Sequence, residues 1–530
     1  MLIDCRLVPH GMTLQADVVV IGAGPAGITM AEELARAGRH VLLVEAAGRE
    51  HTRADDDALD GDGSGEPFPL VRSRHRGFGG TSTHWTPETG LRVRPLDELD
   101  FDARPCRPHD AWPVNASELR PYYERAYRSI GLEPENEARR WFGDDSPTPL
   151  SWPGGPQLAM FQFAPHDSFT RRFDSLSSAS LIDLAMHGTV TSLEQGAQDT
   201  AVERVVIANA DGGHCYAVGG VVVLACGALE NARLLLASPG RDGCALGNDH
   251  DNVGRYFMDH LSVDSGILVP VDGHDLGATV FREQRSTGGD RFQPMLWLAN
   301  ELIRREGIPN AAFWVEEIDP MYLSPGVGTA RKARAAIHGR PRRALTPQLP
   351  GLVRDSPDLI RYFARRKLSV SGPTVVALRI LTEQVPNRES RVRLSARRDA
   401  VGLPRVDLDW RITSADLDVV TAHQELLGKQ LSDRGVATLG APFRRETHPS
   451  PIMSNFHHLG TTRMHRDSRR GVVDIDGRVH ATSNVYVVGG SVFPTGGYLN
   501  PTLTILALAL RAAEKINRRW TPATVHTARE

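Results

Sequence analysis

Residues 17 to 45 constrain the fold more than any other stretch of the chain. Asp17-Val18-Val19-Val20-Ile21 is a β-branched run suited to a buried strand, and Gly22-Ala23-Gly24-Pro25-Ala26-Gly27 follows it at once. Ile28 to Ala37 has helical periodicity, Gly38 closes that helix, and His40 to Glu45 is a second apolar strand. The stretch is a complete βαβ unit of about 30 residues, which demands a parallel strand pair joined by a crossover helix. Gly22, Gly24 and Gly27 satisfy G-x-G-x-x-G. The first allows a tight turn, the second lets the backbone approach a pyrophosphate, and the third permits close helix–strand packing. The helix start offers free N–H groups and a positive dipole end to phosphates. Glu45 stands roughly 20 residues downstream, where an acidic side chain takes ribose hydroxyls. A dinucleotide site is expected; the pattern itself serves FAD and NAD alike.

With 530 residues the chain exceeds one ordinary core, and 41% hydrophobic with 24% charged residues is the balance of a globular protein. A formal charge of -3 gives no global reason to expect nucleic acid or an anionic membrane as partner. Cys5, Cys106, Cys215, Cys226 and Cys244 are odd in number and lack metal-ligand spacing, so reduced thiols and no metal site are expected. Met1 to Ala16 has no basic stretch followed by an apolar run, and no segment reaches the roughly 18 apolar residues of a spanning helix. The expectation is a cytoplasmic protein with no membrane span.

Beyond the βαβ unit, Arg49 to Arg76 is a polar, Gly-rich excursion that leads into Gly79-Gly80-Thr81-Ser82-Thr83-His84-Trp85-Thr86. Tyr122 and Tyr123 fall in a helix, and Val202 to Leu224 alternates as a β-meander ending in Val221-Val222-Val223-Leu224. In the middle region, Val376 to Leu381, Arg391 to Leu394 and Val406 to Trp410 read as strands, and Ala415 to Ser432 as a helix. Arg331, Lys332, Arg334, Arg340, Arg342 and Arg343 mark a basic, Pro-interrupted segment, read as a solvated insertion with partner docking as the alternative. Val485 to Val488 precedes the last helix.

The run Val221 to Ala228, followed by Glu230-Asn231-Ala232-Arg233, resembles the returning strand and small-residue turn of FAD-dependent oxidoreductases, which places Ala225 against the cofactor. Three further blocks extend the likeness: Asn455-Phe456-His457-His458-Leu459-Gly460-Thr461-Thr462-Arg463-Met464, Asn484 to Thr495 with Gly489-Gly490, and Asn500-Pro501-Thr502-Leu503-Thr504-Ile505. Asn252-Val253-Gly254-Arg255 with His260, and Pro386-Asn387 before Ser390-Arg391-Val392, belong to the same pattern. Together these blocks resemble the glucose–methanol–choline (GMC) oxidoreductase family over the whole chain, more loosely in the middle.

That resemblance implies an α/β fold: a discontinuous Rossmann-type FAD-binding domain (14–100, 185–260 and 448–520) and a substrate-binding domain (101–184 and 261–447) with an antiparallel sheet flanked by helices. It implies FAD-dependent oxidation of an alcohol group on a sugar, polyol or hydroxylated natural product, with His457 as catalytic base and Asn500 as its partner. An imidazole with a pKa near about 6.5 can accept a hydroxyl proton at neutral pH, and a carboxamide can hydrogen-bond the substrate oxygen. His458 competes with His457 for that role; Gly460 sets the register in favour of His457. Asn500 also reads as an N-cap with Pro501 at the first helical position, aiming a positive helix end at the flavin. Gly79, Gly80, Ser82, Gly490, Pro501 and Thr502 complete the implied cofactor contacts. Ser82-Thr83-His84-Trp85-Thr86 resembles the loop of pyranose 2-oxidases, in which the His carries the flavin, so His84 holds FAD by a covalent bond or without one. Oxygen or another electron acceptor would complete the cycle. A sterol- or polyketide-type alcohol oxidase, or a flavoprotein subunit passing electrons to a partner protein, are the alternatives.

Overall fold

The computed structural model describes residues 1–103, 111–134, 141–142, 147–196, 200–208, 212–273, 275–285, 289–319, 327, 330, 356–357, 360, 375–444 and 452–520. Cys106 and the basic segment from Arg331 to Arg343 lie outside them. The four described cysteines are free thiols. No helix among the described residues is long and apolar enough to cross a membrane.

Six strands form a parallel sheet in the order Leu2–Asp4, Ile182–Met186, Val41–Val44, Val18–Ile21, Val221–Leu224, Val485–Val487. Val18–Ile21 and Val41–Val44 are buried at every position, because elements cover both faces of the sheet. The helix Pro25–Arg36 connects them, with Gly24 as its N-cap residue and Pro25 at its start. The helix Thr502–Arg519 packs against it. The sheet therefore gathers strands from the beginning, middle and end of the chain. A four-stranded sheet of Thr13–Gln15, His214–Val218, Val202–Ala208 and Thr189–Gln195 holds the meander expected before Leu224.

A nine-stranded sheet forms the other layer. Its main path runs Ala437–Gly440, Leu261–Pro270, Val375–Thr382, Ala311–Ile318, Arg291–Leu298, Pro156–Ala164 and Leu91–Val93, with Gln284–Arg285 and Met453–Ser454 pairing beside it. Among the described residues all its pairings are antiparallel. The helix Ser414–Asp433, started by a Thr413/Asp416 capping box, packs on one face through Leu417, Val420, Leu427 and Leu431. Three strands cross the expected domain boundaries, among them Met453–Ser454, which pairs in the antiparallel sheet although 448–520 was expected to be FAD-binding. Leu91–Val93 joins the antiparallel sheet although 14–100 was expected to be FAD-binding, and Ile182–Met186 joins the parallel sheet although 101–184 was not. A small sheet of Arg391–Arg398, Pro404–Asp409 and Gly61–Gly63 ties the excursion after Arg49 to the middle of the chain.

Candidate functional site

A cavity of about 480 Å³ runs between the two layers. It is lined by Gly22, Gly24, Pro25, Ala26, Glu45 and Ala225, which follow the C-terminal ends of the parallel strands, and by Trp85, Arg92, Phe456, His457 and Asn500. Gly80, Ser82, Gly490, Pro501 and Thr502 also line it. Three expected cofactor residues do not: Gly27, Gly79 and His84 are absent from its wall. Gly27 instead serves packing, since a Cβ there would stand 1.8 Å from the Gly22 carbonyl oxygen. Gly79 adopts φ +93° and donates its N–H to the Ala23 oxygen at 2.8 Å, so it locks the two glycine loops together. His84 is exposed, at the end of the short 3-10 turn Gly80–His84, with its ring edge-on to His75 at 5.6 Å. His75 does line the cavity, and sequence reasoning missed it.

The nucleotide end is built from backbone. Glu45 follows the strand Val41–Val44; its carboxylate accepts from the Ala23 N–H at 2.9 Å and the Ala47 N–H at 3.2 Å, which holds the glycine loop. Burial pushes its pKa up, and those N–H groups oppose the shift. Gly80 approaches so closely that a Cβ would stand 3.0 Å from the Gly24 Cα. Arg76 lines the wall beyond, bonded to the Thr189 hydroxyl and the Ala46 carbonyl, with its buried Nε left unpartnered. Glycine backbone at a helix start, a buried carboxylate and a spare guanidinium donor form a set that fits FAD.

Three further side chains form a chain. His457 Nδ1 lies 2.8 Å from His260 Nδ1, and His457 Nε2 lies 3.1 Å from Asn500 Nδ2. His260 is fully buried and its Nε2 lies 3.2 Å from the Gly496 carbonyl oxygen, which can only accept. His260 Nε2 therefore carries hydrogen. Burial lowers the His260 pKa to about 4, so its ring is neutral and its Nδ1 accepts. His457 must then donate from Nδ1. Its own pKa is lowered well below the usual value by burial and by its His260 and His458 neighbours, which leaves an unprotonated Nε2.

The backbone that presents His457 is tightly held. Met453–Ser454 pairs with the strand Leu261–Pro270, and Phe456 then takes φ +61°, a left-handed conformation that costs energy for an aromatic residue. The Asp259 carboxylate compensates by accepting from the N–H groups of Phe456 (3.1 Å), His457 (2.8 Å) and His260 (2.7 Å), and from the Ser454 hydroxyl. Sequence reasoning missed Asp259 and gave His260 no role. His458 also lines the cavity, but it stands outside this chain: its ring packs against Phe68 and Phe257, its Nε2 is buried without a partner, and burial lowers its pKa to about 3.

Asn500 is not an N-cap. The helix runs Thr502–Arg519 with Pro501 as its cap residue and no side-chain cap bond, because the Asn500 amide is committed to His457. Pro501, Thr502 and Ile505 still line the cavity, so this 18-residue helix presents its positive end there.

Residues 386–509 match the family model described as "GMC oxidoreductase", and residues 16–55 match "Pyridine nucleotide-disulphide oxidoreductase". The chain is 28% identical to 6'''-hydroxyparomomycin C oxidase of Streptomyces lividus and 29% identical to paromamine 6'-oxidase of Streptomyces fradiae; each alignment covers 94% of this chain and 91% of the relative. In fold it is similar to pyridoxine 4-oxidase from "Mesorbium loti", with a TM-score of 0.54 at 17% identity, covering 95% of this chain and 100% of that one. The chain thus resembles the GMC oxidoreductases, through the family model over residues 386–509 and through these oxidases over nearly its whole length, and is an FAD-dependent oxidoreductase acting on CH–OH groups.

Proposed function

We propose that this enzyme oxidises an alcohol group of a sugar, polyol or hydroxylated natural product to a carbonyl, with His457 Nε2 taking the hydroxyl proton. The observation that carries the reading is the chain Gly496 oxygen–His260–His457–Asn500, whose donors and acceptors are consistent in one direction only. FAD, when bound, supplies the acceptor for the carbinol hydride. The remaining work falls to the protein. Asn500 donates to the His457 lone pair at 3.1 Å, and a substrate hydroxyl would enter between them, giving its proton to His457 and accepting from the amide. His260 would hold the His457 ring in the tautomer that leaves Nε2 free. The positive end of the helix Thr502–Arg519 favours negative charge in the cavity. Two relatives with hydroxyparomomycin and paromamine in their names support a hydroxylated, sugar-type substrate.

The test is anaerobic titration of the holoenzyme with a panel of sugars and polyols, following bleaching of the flavin. A positive-acting compound identifies the substrate class, and His457→Ala should then slow bleaching by about 10²- to 10⁴-fold. Bleaching at the wild-type rate in that variant would remove His457 as the base.

A further inference from the structure

We propose that Arg92 is a specificity-determining residue, and that the alcohol substrate carries an anionic oxygen group, a carboxylate or a phosphate, which Arg92 binds. The inference rests on the alcohol-oxidation reading and adds the charge of the substrate to it.

Three arginines line the cavity, and two of them are hydrogen-bonded or ion-paired within the protein. Arg76 bonds to Thr189 and Ala46, and Arg233 pairs with Glu230 at 3.0 Å and Asp399 at 2.7 Å. Arg92 differs. Among the described residues it makes no hydrogen bond and no ion pair, and its Nε is buried without a partner. Its guanidinium lies between two rings instead, 4.8 Å from the Trp314 centroid and 5.3 Å from the Phe163 centroid. These contacts fix the plane of the group while leaving its terminal N–H donors unspent.

Strand register explains the position. Arg92 pairs with Phe163, and Phe163 with Arg291, so the three side chains form a row on the antiparallel sheet, the layer that also carries the strand leading to His457. Arg291 takes the nearby Glu283 carboxylate through two bonds, at 2.6 and 2.9 Å, and the Pro87 and Glu88 carbonyls as well. Glu316 is exposed. Arg92 is thus a half-buried cation that ion-pairs with no described carboxylate: burial is the largest penalty on its charge, Glu283 and Glu316 favour that charge without contact, and Arg291 opposes it. A carboxylate or phosphate fits the free guanidinium fork and removes that penalty; a neutral sugar hydroxyl fills the donors but leaves the charge.

The test reads binding without turnover, from the perturbation of the oxidised flavin spectrum of the holoenzyme. The probes are D-glucuronate, D-glucose 6-phosphate, D-glucose and D-glucosamine. At least one anion should bind about tenfold or more tighter than glucose, with glucosamine weakest, and the two anions together show whether carboxylate or phosphate is preferred. Arg92→Gln should abolish the preference, and Arg92→Lys should keep part of it, because a lysine retains charge but not the fork. Flavin content and melting temperature equal to wild type show that the variants are folded. Equal affinity for glucose and the anions, no perturbation by either anion, or a preference that survives Arg92→Gln would each overturn the proposal. His457→Ala separates the two readings: it should keep the anion preference while losing bleaching.

Discussion

His260 and His457 meet through their Nδ1 atoms at 2.8 Å, with ring planes at 79°. Of two facing imidazole nitrogens one must donate and the other accept, so the bond to Gly496 at the far side of His260 decides which face of His457 is basic. His260→Ala should lower kcat on the order of 10- to 100-fold with KM little changed, because the ring loses its orienting acceptor rather than its substrate contact. It should also move the acid limb of the kcat–pH profile, which loss of packing alone would not do. His260→Asn, which keeps an acceptor, should recover part of the rate. Wild-type kcat and pH profile in His260→Ala would remove the positioning role.

Acid should weaken the fold before it protonates the carboxylates in general. Burial holds His75 and His260 at about 4 and His458 at about 3, against an ordinary value of 6.5. Between those values the unfolded chain binds protons that the native state refuses, so stability falls as pH drops through the window. Asp259 acts in the opposite sense: burial raises it to about 6, so the native state takes its proton first and recovers part of the loss. Burial raises Glu45 and Asp416 in the same sense as Asp259, whereas His84, His187, His457 and His465 are held low like the three rings, so the histidines outnumber the carboxyls. The melting temperature should be greatest near neutrality and decline between pH 6.5 and 4; a flat or rising profile there contradicts this balance.

Two glycines of the same motif should fail differently. In Gly27→Ala the new Cβ meets the Gly22 carbonyl oxygen at 1.8 Å and the Ala225 Cβ at 3.2 Å, and backbone cannot step aside cheaply. The expected cost is about 3 kcal/mol or more, seen as a lower melting temperature of the apoprotein. In Gly24→Ala the nearest atom is the Gly80 Cα at 3.9 Å, so the apoprotein should melt normally while flavin content drops. Equal effects on apoprotein stability would refute the distinction.

The flavin should leave the polypeptide on denaturation. A bond through His84 needs its ring at the cavity wall, and that ring is exposed, off the wall, with its neighbour His75 on it. After acid precipitation the yellow colour is expected in the supernatant. Colour that stays with wild-type protein and is released from His84→Ala would establish the covalent link instead.

The nucleotide end was legible in sequence because its strands are short, continuous apolar runs and its glycines are local. The antiparallel layer was only half legible. Pro156–Ala164, Arg291–Leu298 and Ala311–Ile318 lack clean alternation, since one face meets the helix Ser414–Asp433 and its neighbours while the other is covered by the rest of the protein. Asn500 misled for a different reason: Asn-Pro-Thr satisfies a helix start locally, yet the tertiary bond to His457 takes its side chain. His260 and Asp259 could not be assigned from spacing, because the residues they hold lie about 200 positions further on.

The parallel sheet also imposes a schedule on synthesis. Val221–Leu224 sits between Val18–Ile21 and Val485–Val487, and its last neighbour emerges from the ribosome some 260 residues after it does. Until then a nascent chain exposes an apolar strand edge beside a cofactor cleft that lacks Gly490, Asn500 and Pro501. Capture of the cofactor in a complete cleft therefore waits until residues 490–501 have emerged. Heterologous yield should depend on chaperone supply and flavin availability during that interval more than on the stability of the finished enzyme.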